Sequence, residues 1–321
     1  MIVRKLKVVV TRRWPHEVEQ RLADQFDVRL NEADRPYEQQ QLRDALLQAD
    51  AVLPTVTDRL GADLFAGGVR ARMLGNFGVG FNHIDIAAAR AAGLVVTNTP
   101  AVLTDATADL AMTLLLMCAR RAGEGERELR SGNWTGWRPT HLCGTQVSGK
   151  TVGIIGMGRI GQAMAKRCHF GFGMDVVFFD SMPVADPGMP ARQMATVDDV
   201  LSASDFVSLH CPGGGENTRL INERRLACMK RSAFLINTAR GDVIDEDALV
   251  QALRERRIAG AGLDVFETEP SVPRSLTERE DVVLLPHLGS ATSETRIAMG
   301  MRVIDNLSAF FEGRTPPDAV N

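Results

Sequence analysis

Several kinds of protein are excluded by what this chain lacks. Its five cysteines, Cys118, Cys143, Cys168, Cys211 and Cys228, are odd in number and scattered, with no CxxC and no close Cys/His set. That argues against a disulfide scaffold or a zinc module and fits reduced thiols in a cytoplasm. His16, His83, His169 and His210 have no metal-ligand spacing, so no metal is expected and each reads as a packed or surface histidine. A formal net charge of -3 provides no basic field for nucleic acid. Long apolar runs are missing as well. The longest helical one, LAMTLLLMCA (110–119), is about half of the roughly 20 residues a membrane span needs. The opening MIVRKLKVVVTRRW lacks a signal-type apolar region and cleavage site and reads as a first strand. No sequence repeat or low-complexity tract is present.

What is there suits two ordinary domains. In 321 residues, 45% are hydrophobic and 24% charged, a globular balance with enough chain for two cores. From Lys7 to Thr97, the short runs KVVV, DVRL, AVLP, ARMLGN and LVVT alternate with helix-like PHEVEQRLADQF and IDIAAARAAG. The rhythm restarts at KTVGIIG and runs through MDVVFF, DFVSLH, AFLINT, IAGAGLDV and VVLLPH. Strands alternating with helices imply parallel sheets. A long helical pattern from about Thr104 to Arg130 joins the halves and suits a connecting or dimer-forming helix. After His287, ATSETRIAMGMRVIDNLSAFFEG reads as a terminal helix returning to the first domain, with Gly313 as its stop and TPPDAVN as a frayed tail.

The strongest local signal is KTVGIIGMGRIGQAMAKR. Gly156, Gly158 and Gly161 form GxGxxG directly after a strand pattern and directly before a helix pattern. Such a fingerprint lets a pyrophosphate approach the backbone at a helix N-terminus; the plainer alternative is a glycine-rich turn. Asp180 closes the next strand, 19 residues beyond Gly161, close to the spacing of about 20 for the acid that holds the ribose hydroxyls. Otherwise it is a strand-end aspartate starting a turn. Neither arginine nor lysine follows in SMPVADPG to meet a 2'-phosphate, so NADH is expected to be preferred over NADPH.

In such sheets ligands gather at the carboxyl ends of strands. Arg240 ends AFLINTAR, Glu269 lies near the end of GLDVFETEP, and His287 ends VVLLPH, a run that reads as a buried strand. Taken singly, these are a satisfied strand-end histidine and two solvated loop charges. Together they suit reduction of a 2-keto acid: an imidazolium gives a proton to the oxygen as charge develops on it, a carboxylate holds the ring, and an arginine fork grips the substrate carboxylate and polarises the keto oxygen.

With these motifs placed, nearly the whole chain resembles the D-isomer-specific 2-hydroxyacid dehydrogenase family. GKTVGIIGMGRIGQAMAKR, NTARGDVIDEDALVQAL, AGLDVFETEP, LPHLGSATSETR and TDATADLAMTLLL carry the resemblance. It implies two Rossmann-like, doubly wound parallel-sheet domains: a flavodoxin-like substrate domain from residues 1–100 and 291–321, and an NAD-binding Rossmann domain from 101–290. Arg240, Glu269 and His287 become the catalytic set. In GNFGVGFNHID the amides of Val79 and Gly80 are implied to meet the substrate carboxylate beside Arg240, with glycines 75, 78 and 80 keeping that backbone open. A glycine-rich turn is the plainer reading. Cofactor contacts are implied at Arg159 and Ile160 within the fingerprint and at Thr107, Cys211, Pro212, Thr238 and Asp264.

Among subfamilies, CPGGGENTRLIN and DATADLAMTLLL look most like glyoxylate and hydroxypyruvate reductases, expected to be cytoplasmic homodimers acting on small 2-keto acids, with no nucleic-acid or membrane partner. A D-lactate or other 2-hydroxyacid dehydrogenase is the nearest alternative. Formate dehydrogenases of the superfamily carry glutamine in place of Glu269, and phosphite dehydrogenases carry lysine in place of Val79, so both are disfavoured. An NAD-sensing regulatory module is the alternative of another class, because the C-terminal-binding-protein corepressors resemble this fold; the disordered extensions of those proteins are not expected here. In mammalian-type glyoxylate reductases the segment matching WRPTHLCG reaches the partner's active site with a tryptophan; this chain has His141 there.

Overall fold

The computed structural model describes residues 5–321, and the chain divides into two compact units. The residues up to Leu103 together with Ser290–Asn321 form the first; Thr104–Gly289 form the second. In the first unit, β1 (Lys7–Val10), β2 (Asp27–Arg29), β3 (Ala51–Leu53), β4 (Met73–Gly75) and β5 (Val95–Thr97) pair throughout in parallel, in the order β2-β1-β3-β4-β5. This is the flavodoxin-like doubly wound order. Residues 1–4 of the expected first strand lie outside the described residues.

The second unit holds β6 (Thr151–Ile155), β7 (Asp175–Phe179), β8 (Arg192–Gln193), β9 (Phe206–Leu209), β10 (Phe234–Asn237), β11 (Gly260–Leu263) and β12 (Val282–Leu284). Their order is β12-β11-β10-β9-β6-β7-β8, again parallel throughout, and it reverses at β6. Successive residues on one strand enter different cores: Ile154, Phe206 and Ile236 pack in one apolar cluster, and Ile155, Val207 and Leu235 in another. Alternate side chains point to opposite faces, so both faces of this sheet are covered, as parallel sheets require. β12 lies at the edge and is only partly buried, so VVLLPH is less enclosed than its apolar run suggested.

Two other expectations are corrected. The helical pattern from Thr104 to Arg130 is two helices, Thr104–Arg120 and Ala122–Arg130, broken at Arg121 with φ +52. The amide of Thr145 returns to the carbonyl of Ala119 at 2.7 Å, occupying an acceptor that a continuing helix would use. The second piece buries no residue and carries Gly123 and Gly125, so little tertiary packing or helix propensity extends the first. The tail is also not frayed. Arg302 holds buried Asp318 with bonds of 2.6 and 2.8 Å, and Asn306 donates to the same carboxylate at 2.8 Å. The Val320 amide bonds Val96 O, and the Asn321 side chain spans Leu94 O and Val96 N. The terminal helix Ser293–Phe311 packs in the first unit, where Gly313 at φ +79 ends it. Among the described residues, no helix is long and apolar enough to cross a membrane.

Candidate active site

The strand order reverses at β6, and the glycine-rich turn follows that strand. Gly156 sits at φ +93, and a Cβ there would lie 2.7 Å from Cys211 N and 2.8 Å from His210 C. A Cβ on Gly161 would run into the carbonyl oxygen of Gly156, whereas Gly158 faces open space. The first glycine thus serves the turn and the third close helix packing, and the middle one leaves room for a ligand. Gly158 caps the helix Arg159–Lys166, and the Gln162 amide takes Gly158 O at 2.9 Å. The earlier amides of that first turn, including those of Arg159 and Ile160, have no helical acceptor. This open backbone fits the pyrophosphate of a dinucleotide.

Asp180 stands just past β7. Its carboxylate accepts from Met157 N at 2.8 Å and Met182 N at 3.1 Å, so it braces the glycine turn and places a negative charge beside it. Cys211 and Pro212 follow β9. Burial pushes the Cys211 thiol up to about 11, which keeps it protonated, and pushes His210 down to about 4. Thr238 follows β10, and its buried hydroxyl has no partner among the described residues. Thr107 lies on the helix Thr104–Arg120 and donates to Gly289 O at 2.9 Å.

The ends of β10, β11 and β12 carry the three chemical side chains. His287 Nδ1 and Glu269 Oε2 are 2.8 Å apart, although 18 residues separate them. The other oxygen of Glu269 accepts from Phe266 N at 3.0 Å. Burial acts to raise the Glu269 carboxyl, but the His287 bond and charge, the Phe266 amide and the Arg240 charge outweigh it and hold the group below its ordinary value. Arg240 lies in a turn tied by Asn237, whose side chain donates to Arg240 O at 2.9 Å and accepts from Ala239 N at 3.0 Å. Burial lowers the Arg240 pKa, opposed by the charges of Glu269 and Asp242. Gly241 is required here because a Cβ would strike the backbone of Phe266.

His287 has φ +54, a left-handed conformation uncommon for a residue with a side chain. Asp264 holds it there. Its carbonyl accepts from His287 N at 2.9 Å, and its carboxylate accepts from Leu288 N at 2.6 Å and Gly289 N at 2.8 Å. Burial raises this carboxyl to about 6 against the pull of those amides and of His287. A turn fastened at three points can keep a strained conformation that presents one side chain.

In the first unit, Val79 and Gly80 follow β4. The carbonyl of Val79 accepts from Asn98 Nδ2 at 2.8 Å, that of Gly80 from Asn76 Nδ2 at 3.0 Å, and that of Gly78 from Asn76 Nδ2 and Thr99 N. Among the described residues, the amides of Val79 and Gly80 donate to no protein group. Gly75 serves another purpose than openness at this loop: a Cβ there would lie 2.7 Å from Val303 and 2.8 Å from Leu53. His141 is half-buried in the second unit and bonded to Glu128 at 2.7 Å. Asn76, Asn237 and Gly241 carried no sequence signal of their own, since their roles lie in bonds or contacts to neighbouring loops; the nearest hints were their places inside GNFGVG and NTARGD.

Residues 112–289 match the family described as D-isomer specific 2-hydroxyacid dehydrogenase, NAD binding domain. Glyoxylate reductase of Thermococcus litoralis is 42% identical over 323 residues, covering 99% of this chain and 97% of that protein. Glyoxylate reductase of Pyrococcus horikoshii is 43% identical over 322 residues, covering 99% and 96%. Among solved structures, the NADPH-dependent glyoxylate/hydroxypyruvate reductase of Sinorhizobium meliloti, in complex with NADP and malonate, superposes with a TM-score of 0.89 at 34% identity, covering 98% of this chain and 97% of that one. A Rossmann unit with an open glycine turn and likeness across the full length agree: the chain belongs to the D-isomer-specific 2-hydroxyacid dehydrogenase family, enzymes that use a nicotinamide dinucleotide.

Proposed function

We propose that the enzyme reduces glyoxylate, hydroxypyruvate or a similar small 2-keto acid with NADH, giving the D-2-hydroxy acid where a chiral centre forms. The observation that carries this reading is the 2.8 Å pair between His287 Nδ1 and Glu269 Oε2 at the strand ends of the Rossmann unit. A nicotinamide, when bound, would supply the hydride for such a reduction. With Nδ1 held by Glu269, Nε2 is the nitrogen of His287 left to carry a proton to the keto oxygen. Glu269, kept ionised by its neighbours, favours the imidazolium and fixes the ring. Arg240, whose Nη1 donates to Ala239 O at 2.7 Å, is assigned to the substrate's carboxylate and keto oxygens through its planar, charged guanidinium. The amides of Val79 and Gly80 are assigned as donors for a carboxylate.

Gly156, Gly158, Arg159, Ile160 and Gly161 are assigned to the pyrophosphate, Asp180 to the adenosine ribose, and Thr107, Cys211, Pro212, Thr238 and Asp264 to the remainder of the cofactor. Asp180 supports NADH, because a 2'-phosphate near its carboxylate would meet a like charge. The relative from Sinorhizobium meliloti is NADPH-dependent, so the two cofactors are compared directly in the assay below. The working form is proposed to be a homodimer assembled through the helix Thr104–Arg120 and the segment after it, where Leu129, Trp134 and Trp137 are exposed. The five cysteines, all free, suit a reducing cytoplasm. A panel of 2-keto acids, each assayed with NADH and with NADPH, tests the reading. Rapid NADH oxidation by glyoxylate or hydroxypyruvate is expected; no turnover with any small 2-keto acid would overturn it.

A further inference from the structure

We infer that His83, a histidine outside the catalytic set, is a positioning residue for the substrate carboxylate and acts through Asn76. This rests on the reading of the Val79 and Gly80 amides as the carboxylate's donors. Asn76 follows β4 directly and is fully buried. Its amide nitrogen donates to Gly78 O at 3.1 Å and Gly80 O at 3.0 Å. With that nitrogen committed to two acceptors, Asn76 Oδ1 is the acceptor of its 3.1 Å contact with His83 Nε2. Nε2 therefore carries a hydrogen, whether the ring is neutral or charged.

Peptide planarity transmits this arrangement. In a trans peptide the N–H of one residue points opposite to the C=O of the residue before it. Fixing the carbonyls of Gly78 and Val79 consequently fixes the directions of the Val79 and Gly80 amides. Asn76 and Thr99 N hold the first carbonyl and Asn98 Nδ2 holds the second. Asn76 also holds the carbonyl of Gly80, which sets the following peptide. Without a donor on its oxygen, a buried Asn76 side chain has an unsatisfied acceptor and is free to rotate away from both carbonyls. His83 supplies that donor and is itself anchored, since its backbone carbonyl takes Leu60 N at 2.9 Å.

Two measurements separate this inference from the reading beneath it. Selective ¹⁵N labelling of valine and glycine, with oxalate added to the NADH-bound enzyme, should move the amide signals of Val79 and Gly80. If neither moves, the loop does not bind carboxylate and the inference falls with that reading. If both move, steady-state kinetics test His83 alone. His83→Ala should raise KM for glyoxylate and the inhibition constant of oxalate by about tenfold, the scale of one lost hydrogen bond, while kcat and KM for NADH change by less than about twofold. His83→Gln, whose amide can donate in the same direction, should restore much of the loss. Unchanged KM in His83→Ala, or no rescue by His83→Gln, overturns the inference and leaves the loop reading standing. Should His83→Ala fail to fold, Asn76→Asp serves instead. Its carboxylate can accept from His83 but cannot donate to Gly78 O or Gly80 O, so KM should rise with kcat largely kept, and an unchanged KM would count against the proposal.

Discussion

The loop after β4 in the first unit and the loops after β10, β11 and β12 in the second occupy equivalent places, the carboxyl ends of parallel strands, yet they are built differently. The first presents backbone amides, with side chains such as Asn76 and Asn98 turned to holding carbonyls. The second presents Arg240, Glu269 and His287 themselves, with backbone such as the Asp264 carbonyl serving as the brace. An amide offers direction without a titrating proton, which suits recognition of a carboxylate. An imidazole paired with a carboxylate can both hold and give up a proton, which suits acid–base chemistry. The two sets of loops thus present different kinds of group, and the roles proposed for them, carboxylate binding and acid–base chemistry, follow that difference.

If this division holds, side-chain changes should matter far more after β12 than after β4. The largest effect is expected for His287→Asn: kcat falls by about 10²-fold or more while NADH still binds, as fluorescence titration would show. A fully active variant would remove the histidine from the chemistry. Glu269→Gln comes next. Glu269 sits below its ordinary pKa and so carries a negative charge at neutral pH, 2.8 Å from His287 Nδ1. Without that charge the imidazolium releases its proton at lower pH, so the basic limb of kcat/KM for reduction should move to lower pH. A limb that stays in place would show that another group donates the proton.

Asp180→Ala should act more mildly, chiefly on cofactor choice, although it also removes the acceptor of the Met157 and Met182 amides. We expect the unaltered enzyme to favour NADH over NADPH by about tenfold in kcat/KM, or ~1.4 kcal/mol, and the variant to narrow that ratio. Equal efficiency of the unaltered enzyme with both cofactors would mean that Asp180 serves only the Met157 and Met182 amides it already holds. Val79→Ala should have the smallest effect, less than about twofold in KM for glyoxylate, because its amide remains. A loss comparable to that of His287→Asn would erase the contrast between the two loops.

Much of this was legible in local pattern. The alternation of Val/Leu-rich runs with helical segments announced two parallel sheets, and GxGxxG between a strand and a helix located the turn after β6. Where local pattern misled, a distant contact had decided the outcome. The helical run to Arg130 breaks because Thr145 takes Ala119 O. TPPDAVN is pinned because Asp318 meets Arg302 and Asn306, and because Asn321 meets β5. His83 looked idle because its partner Asn76 is seven residues away around a loop, outside any helical or strand period.

The sequence by itself determined the sheets, the glycine turn and the kinds of side chain available at strand ends, because hydrophobic period and glycine conformation act over a few neighbouring residues. Tertiary structure alone decided which of those side chains meet. Glu269 reaches His287 because β11 pairs in parallel with β12 at Leu263↔Leu284, and because Asp264 clamps the turn that follows. Strand pairing and register join residues far apart in the chain, and the local sequence of either strand does not contain the position of the other.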